Sequence, residues 1–299
     1  MTATKEAAPI SDAKAAERRL GWLLCAPAAI VMLAVAGWPI LLSIITSFQR
    51  SDLRFPDDKG FVGFANYATV LTSEHWWTAF GVTMLIMVVS VAVELVLGMG
   101  LAVVMHRTLV AKGLLRTTVL IPYGIVTVVA AYGWQYAWTP DTGWLAGLLP
   151  EGSAPLTERW PALLIIIGAE IWKTTPFMAL LLLAGLSVVP DELHRAASMD
   201  GAGRWQRFVK VTLPLMKPAI LVALLFRMLD AFRIYDNIYV LTNGAQDTAS
   251  VSITTYHNLV SGLNLGIGST MSVLIFVTVA IIAFIFVKGL GTSTPEGGR

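Results

Sequence analysis

The 299-residue chain contains one cysteine, Cys25, so no disulfide forms within it. Charge is scarce as well. Asp, Glu, Lys and Arg make up 13% of the residues, against about 25% in a typical soluble domain. No GxxxxGK[ST] stretch is present, which excludes a phosphate-cradling P-loop of the chain's own, and no CxxC or HExxH spacing supplies a metal site. A net charge of +2 gives no reason to expect a nucleic-acid partner. What the chain has instead is apolar bulk: 56% hydrophobic residues, ten Trp, eleven Met and a mean hydropathy of +0.70. These values describe an integral membrane protein.

A bilayer core of about 30 Å takes roughly 20 apolar residues per helix. Six segments meet that length: 20–48, 77–105, 117–138, 162–186, 219–240 and 269–288. Helices are expected because each satisfies its own backbone in lipid, and the ten-residue alternation of a membrane barrel is missing. The fold expected is therefore all-α, with six transmembrane helices. A polar leader (1–19), a polar loop (187–218) and a tail (289–299) flank or interrupt the apolar domain 20–288. Cys25 falls inside the first span and reads as a packed apolar residue.

Lys and Arg are distributed unevenly. Fourteen fall in the leader, the 106–116 loop, the 187–218 loop and the tail counted from Lys288, against four in the three alternate loops. By the positive-inside rule both termini and the 187–218 loop are cytoplasmic. Trp76, Trp77, Trp138, Trp144 and Trp160 lie near the opposite ends of the spans, where an interfacial aromatic belt is expected.

The 187–218 loop has its own grammar. Pro190 opens a helix, with Asp191 and Glu192 at its positive end. Leu193, Ala196 and Ala197 give it an apolar stripe. Gly201 after Asp200 breaks it by a backbone conformation other residues avoid. A second short helix is expected from Arg204 to Leu213, with Trp205, Phe208 and Val209 on one face, and Pro214 and Pro218 lead into the fifth span. Charge alone allows a plain reading, a solvated loop whose arginines set orientation and meet lipid headgroups.

Seven charges fall inside apolar spans: Glu94, Glu170, Lys173, Arg227, Asp230, Arg233 and Asp236. Each costs at least about 2.5–3.5 kcal/mol near the bilayer centre, so each needs a partner or a cavity. Glu170 and Lys173 are three apart, as are successive members of the series Arg227, Asp230, Arg233, Asp236. That spacing allows ion pairs within a helix. Glu94 stands alone. Mutual neutralisation and the lining of a polar path are both open. A self-sufficient ion-coupled transporter would use Glu94, Glu170 and Asp230 as proton relays. A membrane enzyme acting on lipid-linked sugars would use carboxylates as acid and base.

The spacing from 195 to 214 resembles the EAA loop of bacterial ABC importer permeases: E-A-A, three residues, Gly, nine residues, then I-x-L-P. Ala196-Ala197, Gly201 and Val211, Leu213, Pro214 match it, while Arg195 stands where the family has Glu. "GWLLCAPAAIVMLAVAGWPILLSIITSF", "FVGFANYATVL", "LIPYGIVTVVAAYGWQYAW", "EIWKTTPFMALLLLAGLSVVPDEL" and "AFRIYDNIYVLTNG" are similar to corresponding stretches of the sugar-type members. The resemblance implies the type I importer permease fold in a bacterial plasma membrane and the import of a disaccharide. The partners it implies are a second homologous permease, a pair of ATPase subunits that bind ATP and Mg, and an extracytoplasmic sugar-binding lipoprotein. No cofactor or catalytic residue is implied on this chain. Residues 190–214 would be the coupling helices seated on the ATPase: Asp191, Glu192, Leu193, Arg195, Ala196, Ala197, Asp200, Gly201, Ala202, Trp205, Phe208, Leu213 and Pro214. Sugar contacts of the maltose-importing member, carried over by motif, fall on Tyr123, Thr127, Thr174, Phe177, Arg227, Ala231 and Ile234. Asp230, Glu170 and Lys173 join them as ionisable neighbours. Such a loop favours the importer over both rivals, which have no ATPase to dock.

Overall fold

The computed structural model describes residues 10–107, 112–150 and 152–291. The outer parts of the leader and tail (1–9 and 292–299) and positions 108–111 and 151 lie outside the described residues. The architecture is a helical bundle in which five helices are long and apolar enough to cross a membrane, and a sixth crossing is made if one bent pair counts as a span.

The first crossing runs through α1 (Ile10–Met32), a π-helical turn (Leu33–Gly37) and α2 (Trp38–Ser47). Its helix is already formed at Ile10, ten residues before the apolar onset expected at Leu20. Its apolar residues lie all round it, and none of its most apolar window is buried against the rest of the chain. Cys25 is accordingly exposed on this helix, not packed as expected. The reason is that the crossing meets the bundle through α2, which packs on α13, while α1 leaves its surface to lipid or a neighbouring chain.

A loop held by a two-stranded antiparallel pairing, β1 (Gln49–Arg50) with β2 (Gly60–Phe61), and the short α3 (Ala65–Leu71) leads to α4 (Glu74–Arg107). Asn66 Nδ2 donates to the carbonyls of Ser47 and Gln49, both at 2.9 Å, and pins this loop to the end of α2. On the loop, the Asp52 carboxyl is held below the usual carboxylate range by hydrogen bonds from the Arg54 side chain and backbone. Asp52 also bridges to Asn264, tying this end to the last crossing.

The centre of the bundle is α4 packed along α7 (Arg159–Leu186). Small residues let the two backbones approach. A Cβ on Gly98 would sit 2.8 Å from Met178 Cγ and 3.2 Å from the Ala179 backbone nitrogen, so no larger residue fits without displacement. One apolar cluster gathers Met87, Val91, Ala102, Met178, Leu182, Met216, Ala223 and Met271 from four crossings. A second gathers Val82, Ile86, Leu163, Ile166, Ile238 and Ile253. Trp76 belongs to the first cluster and is buried. Trp77, Trp144 and Trp160 are exposed, as residues of an interfacial belt must be, and Trp76 is not.

The third crossing departs from a single straight helix. It is α5 (Lys112–Gly124) followed by α6 (Thr127–Ala137), bent by 83° at the break. Pro122 lacks the donor that would continue the α5 ladder, and Ile125-Val126 leave the helix, with Val126 at φ −56° and ψ 131°. The fifth crossing also differs. Its helix starts at Arg204, ahead of the apolar onset expected at Ala219. The helix α9 (Arg204–Arg207) passes through a π-helical turn (Phe208–Thr212) directly into α10 (Leu213–Ala231). The Leu213 N–H reaches back five residues to the Phe208 carbonyl. This wide turn lets the helix run on past Pro214 and Pro218, neither of which can donate. The helical path is then interrupted at Phe232–Tyr235 before α11 (Asp236–Leu241). The short α12 (Val251–Tyr256), another π-helical turn (His257–Ser261) and α13 (Leu265–Gly291) complete the described residues.

Candidate functional site: a charged network beneath a broken-helix cavity

A buried ion-pair network joins α4, α7 and α10. Arg227 is 1% exposed, and its guanidinium grips Glu94 in a two-point fork: Nε donates to Oε2 at 2.7 Å and Nη2 to Oε1 at 3.0 Å. Glu94 is fully buried. Nη2 also donates to Thr174 Oγ1 at 3.1 Å and, more weakly, to Glu170 Oε1 at 3.4 Å. The Asp230 carboxylate, one helical step away, accepts from Nη1. Glu170 turns its other oxygen to Asn237 Nδ2 at 2.6 Å. Three carboxylates thus converge on one guanidinium. The planar fork suits this, because it offers five donors in a rigid geometry.

This arrangement corrects the pairing expected from spacing. Glu94 does not stand alone; its partner is 133 residues away in sequence. The series Arg227, Asp230, Arg233, Asp236 is not a continuous helical ladder, because the helix ends at Ala231 before Arg233. Only its first step, Arg227–Asp230, forms an ion pair, and no ion pair of Arg233 or Asp236 occurs among the described residues. Nor does Glu170 pair with Lys173.

Lys173 does something else. Its ammonium donates to the Ile125 carbonyl at 2.8 Å and reaches the Tyr123 carbonyl at 3.5 Å. Both carbonyls lie at the break between α5 and α6, where the helix end leaves acceptors without intrahelical donors and a partial negative charge collects. The ammonium also lies 5.8 Å from the centre of the Tyr123 ring, which stacks on Phe177 at 5.2 Å and 14°. A lysine on α7 therefore caps the elbow of the third crossing.

Beside the network is a cavity of about 540 Å³, within the roughly 300–1,000 Å³ usual for small-molecule sites. Tyr123, Thr127, Glu170, Lys173, Thr174, Asp230 and Ile234 line it, so these candidates from distant segments are brought together. Phe177, Arg227 and Ala231 are not on its wall. Phe177 backs the Tyr123 ring, and Arg227 and Ala231 are buried behind. Sequence reasoning missed Tyr235 and Asn237, which also face the cavity. Tyr235 belongs to an aromatic cluster, 5.4 Å from Tyr239 and 5.3 Å from Tyr256. The recurring Tyr at 235 and 239 was the available signal. The lining alternates charged donors and acceptors with aromatic faces. That chemistry suits a polyhydroxylated ligand, whose hydroxyls hydrogen-bond while its C–H faces lie on rings.

The 187–214 unit has the bend expected at Gly201, which sits at φ +77°. The helix α8 (Asp191–Met199) closes with the paired bonds of a Schellman turn: Ala202 N–H to the Ala197 carbonyl at 2.9 Å and Gly201 N–H to the Ser198 carbonyl at 3.1 Å. None of α8 is buried, so Asp191, Glu192, Leu193, Arg195 and Ala196 are all displayed. Trp205 does not anchor the back of this unit within the chain. It is 73% exposed, touching Phe208 at a ring distance of 5.7 Å, and Phe208 alone turns inward.

A displayed short helix, bent sharply and welded to a crossing whose neighbours frame a polar cavity, defines a transport subunit. Residues 84–292 match the family described as "Binding-protein-dependent transport system inner membrane component". The chain belongs to that family. It is a multi-pass inner-membrane permease of an ABC importer and is not itself an enzyme. It is 60% identical over 287 residues to the trehalose transport system permease protein SugA of Mycobacterium tuberculosis, covering 96% of this chain and 94% of that one. It is also 38% identical to the trehalose/maltose transport system permease protein MalF of Thermococcus litoralis, over 93% and 96% of the two chains. The fold is shared with a chain of a bacterial ABC transporter that imports alginate, at a TM-score of 0.78 and 23% identity, covering 93% and 98%. The two rival readings fall with this assignment. Of the three carboxylates that the ion-coupled reading took as relays, Glu94 and Asp230 pair with Arg227, and Glu170 accepts from Asn237.

Removing the Lys173 ammonium tests the elbow. Lys173→Met leaves the Ile125 carbonyl without its donor, and a hydrogen bond from a charged group contributes about 1.5–3 kcal/mol. Hydrogen–deuterium exchange at residues 123–127 should accelerate about tenfold or more, with exchange along α4 unchanged. Lys173→Arg should recover much of the protection. Unaltered exchange at the elbow in Lys173→Met would show that Pro122 and Gly124 hold the break unaided.

Proposed function

We propose that this chain forms half of the translocation pathway of an ATP-driven importer for trehalose or a closely similar disaccharide. The cavity carries the reading: about 540 Å³ of polar and aromatic wall beside the elbow of the third crossing. The 60% identity to the mycobacterial trehalose permease supports the choice of sugar. The other half of the pathway comes from a second, homologous permease. An extracytoplasmic binding lipoprotein delivers the sugar, and two ATPase subunits bind ATP and Mg. Closure of the ATPase pair on ATP moves α8, and with it the continuous α9–α10 helix. Because α10 carries Arg227, and Arg227 grips Glu94 and contacts Glu170, that movement reaches α4 and α7 as one body.

Co-expression with the second permease, the ATPase and the binding lipoprotein, followed by reconstitution into vesicles, tests this. Trehalose uptake should need ATP and the binding protein, and should exceed sucrose uptake by at least about tenfold, a discrimination that hydroxyl-directed hydrogen bonds readily supply. Asp230→Asn should lower uptake by about tenfold at normal complex yield. Its carboxylate is 70% exposed on the cavity wall, and Arg227 keeps Glu94 when Asp230 is neutralised. Low yield would instead give Asp230 a purely structural part, and full uptake would remove it from the pathway.

The proposal places both termini and the 187–218 loop in the cytoplasm, on the fourteen-to-four distribution of Lys and Arg. Fusions at residues 5 and 295 to a reporter active only after export should be silent, and activity at either end would reverse the orientation.

A further inference from the structure

Two cavities meet where α4 ends and the α8–α10 unit begins. One, about 630 Å³, is basic: Arg107, Arg204, Arg207, His106 and His194 face it, with Asp191 as its one carboxylate. The other, about 680 Å³, is an open apolar groove running along α4 past Val103, Met99 and Leu95, closed on its far side by Phe208, Leu213 and Ile220. They are not separate sites. Val103, Arg107, Arg204 and Phe208 border both.

We propose that this joined crevice binds one anionic phospholipid, with its phosphate among the arginines and an acyl chain in the groove. Three observations select that occupant. First, the charge is complementary: three guanidiniums and two imidazoles surround a space with a single acidic neighbour. Second, the dimensions agree. Leu95 lies twelve residues before Arg107 on α4, about 18 Å of helix, and one leaflet of hydrocarbon is about 15 Å deep. A headgroup at Arg107 puts its chain end beside Leu95. Third, the exposed Trp205 borders the groove at its charged end, where an interfacial aromatic belongs. A free phosphate would fill the basic half and leave the apolar half empty. The bound lipid ties Arg107 at the end of α4 to Arg204 and Arg207 at the start of the fifth crossing, and so braces the coupling unit. That mechanical consequence rests on the proposed function; the binding itself does not.

The test uses the assembled transporter, exchanged into nanodiscs of phosphatidylglycerol and phosphatidylcholine in equal parts. Lipid retained after detergent release is then counted by native mass spectrometry. The parent should retain phosphatidylglycerol over phosphatidylcholine by about tenfold or more, as two or more basic residues at an anionic headgroup provide. Two variants separate the halves of the site. Arg107→Gln with Arg204→Gln removes charge. Gly100→Leu adds bulk to the groove wall, since Gly100 lines the groove and a Cβ there meets no atom within 4 Å. Both should bring the ratio close to one in intact complexes. If the double variant does not assemble, Gly100→Leu decides alone. Four results overturn the proposal: no preference in the parent; preference unchanged by Gly100→Leu, which reduces the effect to surface attraction; preference abolished by excess inorganic phosphate, which makes the site a small-anion pocket; or loss of the second permease from Gly100→Leu, which makes the groove a protein interface. Sugar uptake is not read in this assay, so any of these leaves the transport reading standing.

Discussion

Arg227→Met is expected to collapse the yield of folded protein. The residue is 1% exposed and reaches α4, α7 and its own helix at once. Removing it strands Glu94, which is fully buried and would keep only the Thr174 hydroxyl 2.8 Å from Oε1. Breaking a buried ion pair on one side costs about 3–5 kcal/mol, against a total stability of about 5–15 kcal/mol for a typical domain. Arg227→Lys should recover only part of the loss, because an ammonium cannot make the two-point fork. The decisive comparison is a double variant. Glu94→Leu with Arg227→Met removes both charges and should be clearly more stable than Arg227→Met alone, by thermal unfolding of the purified complex. If Arg227→Met unfolds like the parent, or if the double variant is no better than the single one, the network is not what joins these helices.

Gly201→Val should abolish sugar transport while leaving the protein inserted and folded. At φ +77° a residue with a Cβ pays about 1–2 kcal/mol, and a β-branched one pays more. The penalty is purely one of backbone, since a Cβ added at Gly201 meets nothing within 4 Å. Relief comes by abandoning the left-handed conformation, which breaks the Schellman bonds from Gly201 and Ala202 and unwinds the last turn of α8. The angle between α8 and the long α9–α10 helix then changes. No span is altered, so insertion is unaffected. Uptake should fall more than about tenfold. Gly201→Asn should retain most activity, because Asn tolerates left-handed backbone. Arg195→Glu should be mild: the side chain is exposed and makes no ion pair among the described residues. Equal loss in Gly201→Val and Gly201→Asn would point to the surface of the turn, not its bend. Normal uptake in Gly201→Val beside a dead Arg195→Glu would show that the loop works through charge.

The candidate cavity was legible in part. Tyr123, Thr127, Thr174 and Ile234 were reached by motif, and Glu170, Lys173 and Asp230 by their being ionisable inside apolar runs. Their neighbours Tyr235 and Asn237 were not. Tyr and Asn at the end of an apolar run carry no cost that demands explanation, so beyond the recurring Tyr at 235 and 239 nothing marks them, and the interruption at Phe232–Tyr235 is what turns them toward the wall. The partners of the charges were also misread. Spacing of three residues pairs side chains only where a helix continues through both, and the helix stops at Ala231.

By itself the sequence determined that the chain is helical and membrane-spanning, that its apolar stretches mark the approximate crossings, and that Gly201 turns a displayed helix. These follow from local requirements: apolar length against a fixed bilayer thickness, a backbone that must satisfy itself in lipid, and a positive φ that glycine adopts freely. Only the tertiary structure decided which charge meets which, that the third crossing is an elbow held open by Lys173, and that the fifth begins at Arg204 as one helix with the coupling unit. The third follows from the wide turn at Phe208–Thr212, which carries the helix past Pro214; the first two share another physical reason. A buried ammonium or guanidinium takes the strongest acceptor that packing brings within about 3 Å. For Arg227 and Lys173 those acceptors, Glu94 and the Ile125 carbonyl, lie on other helices and far away in sequence.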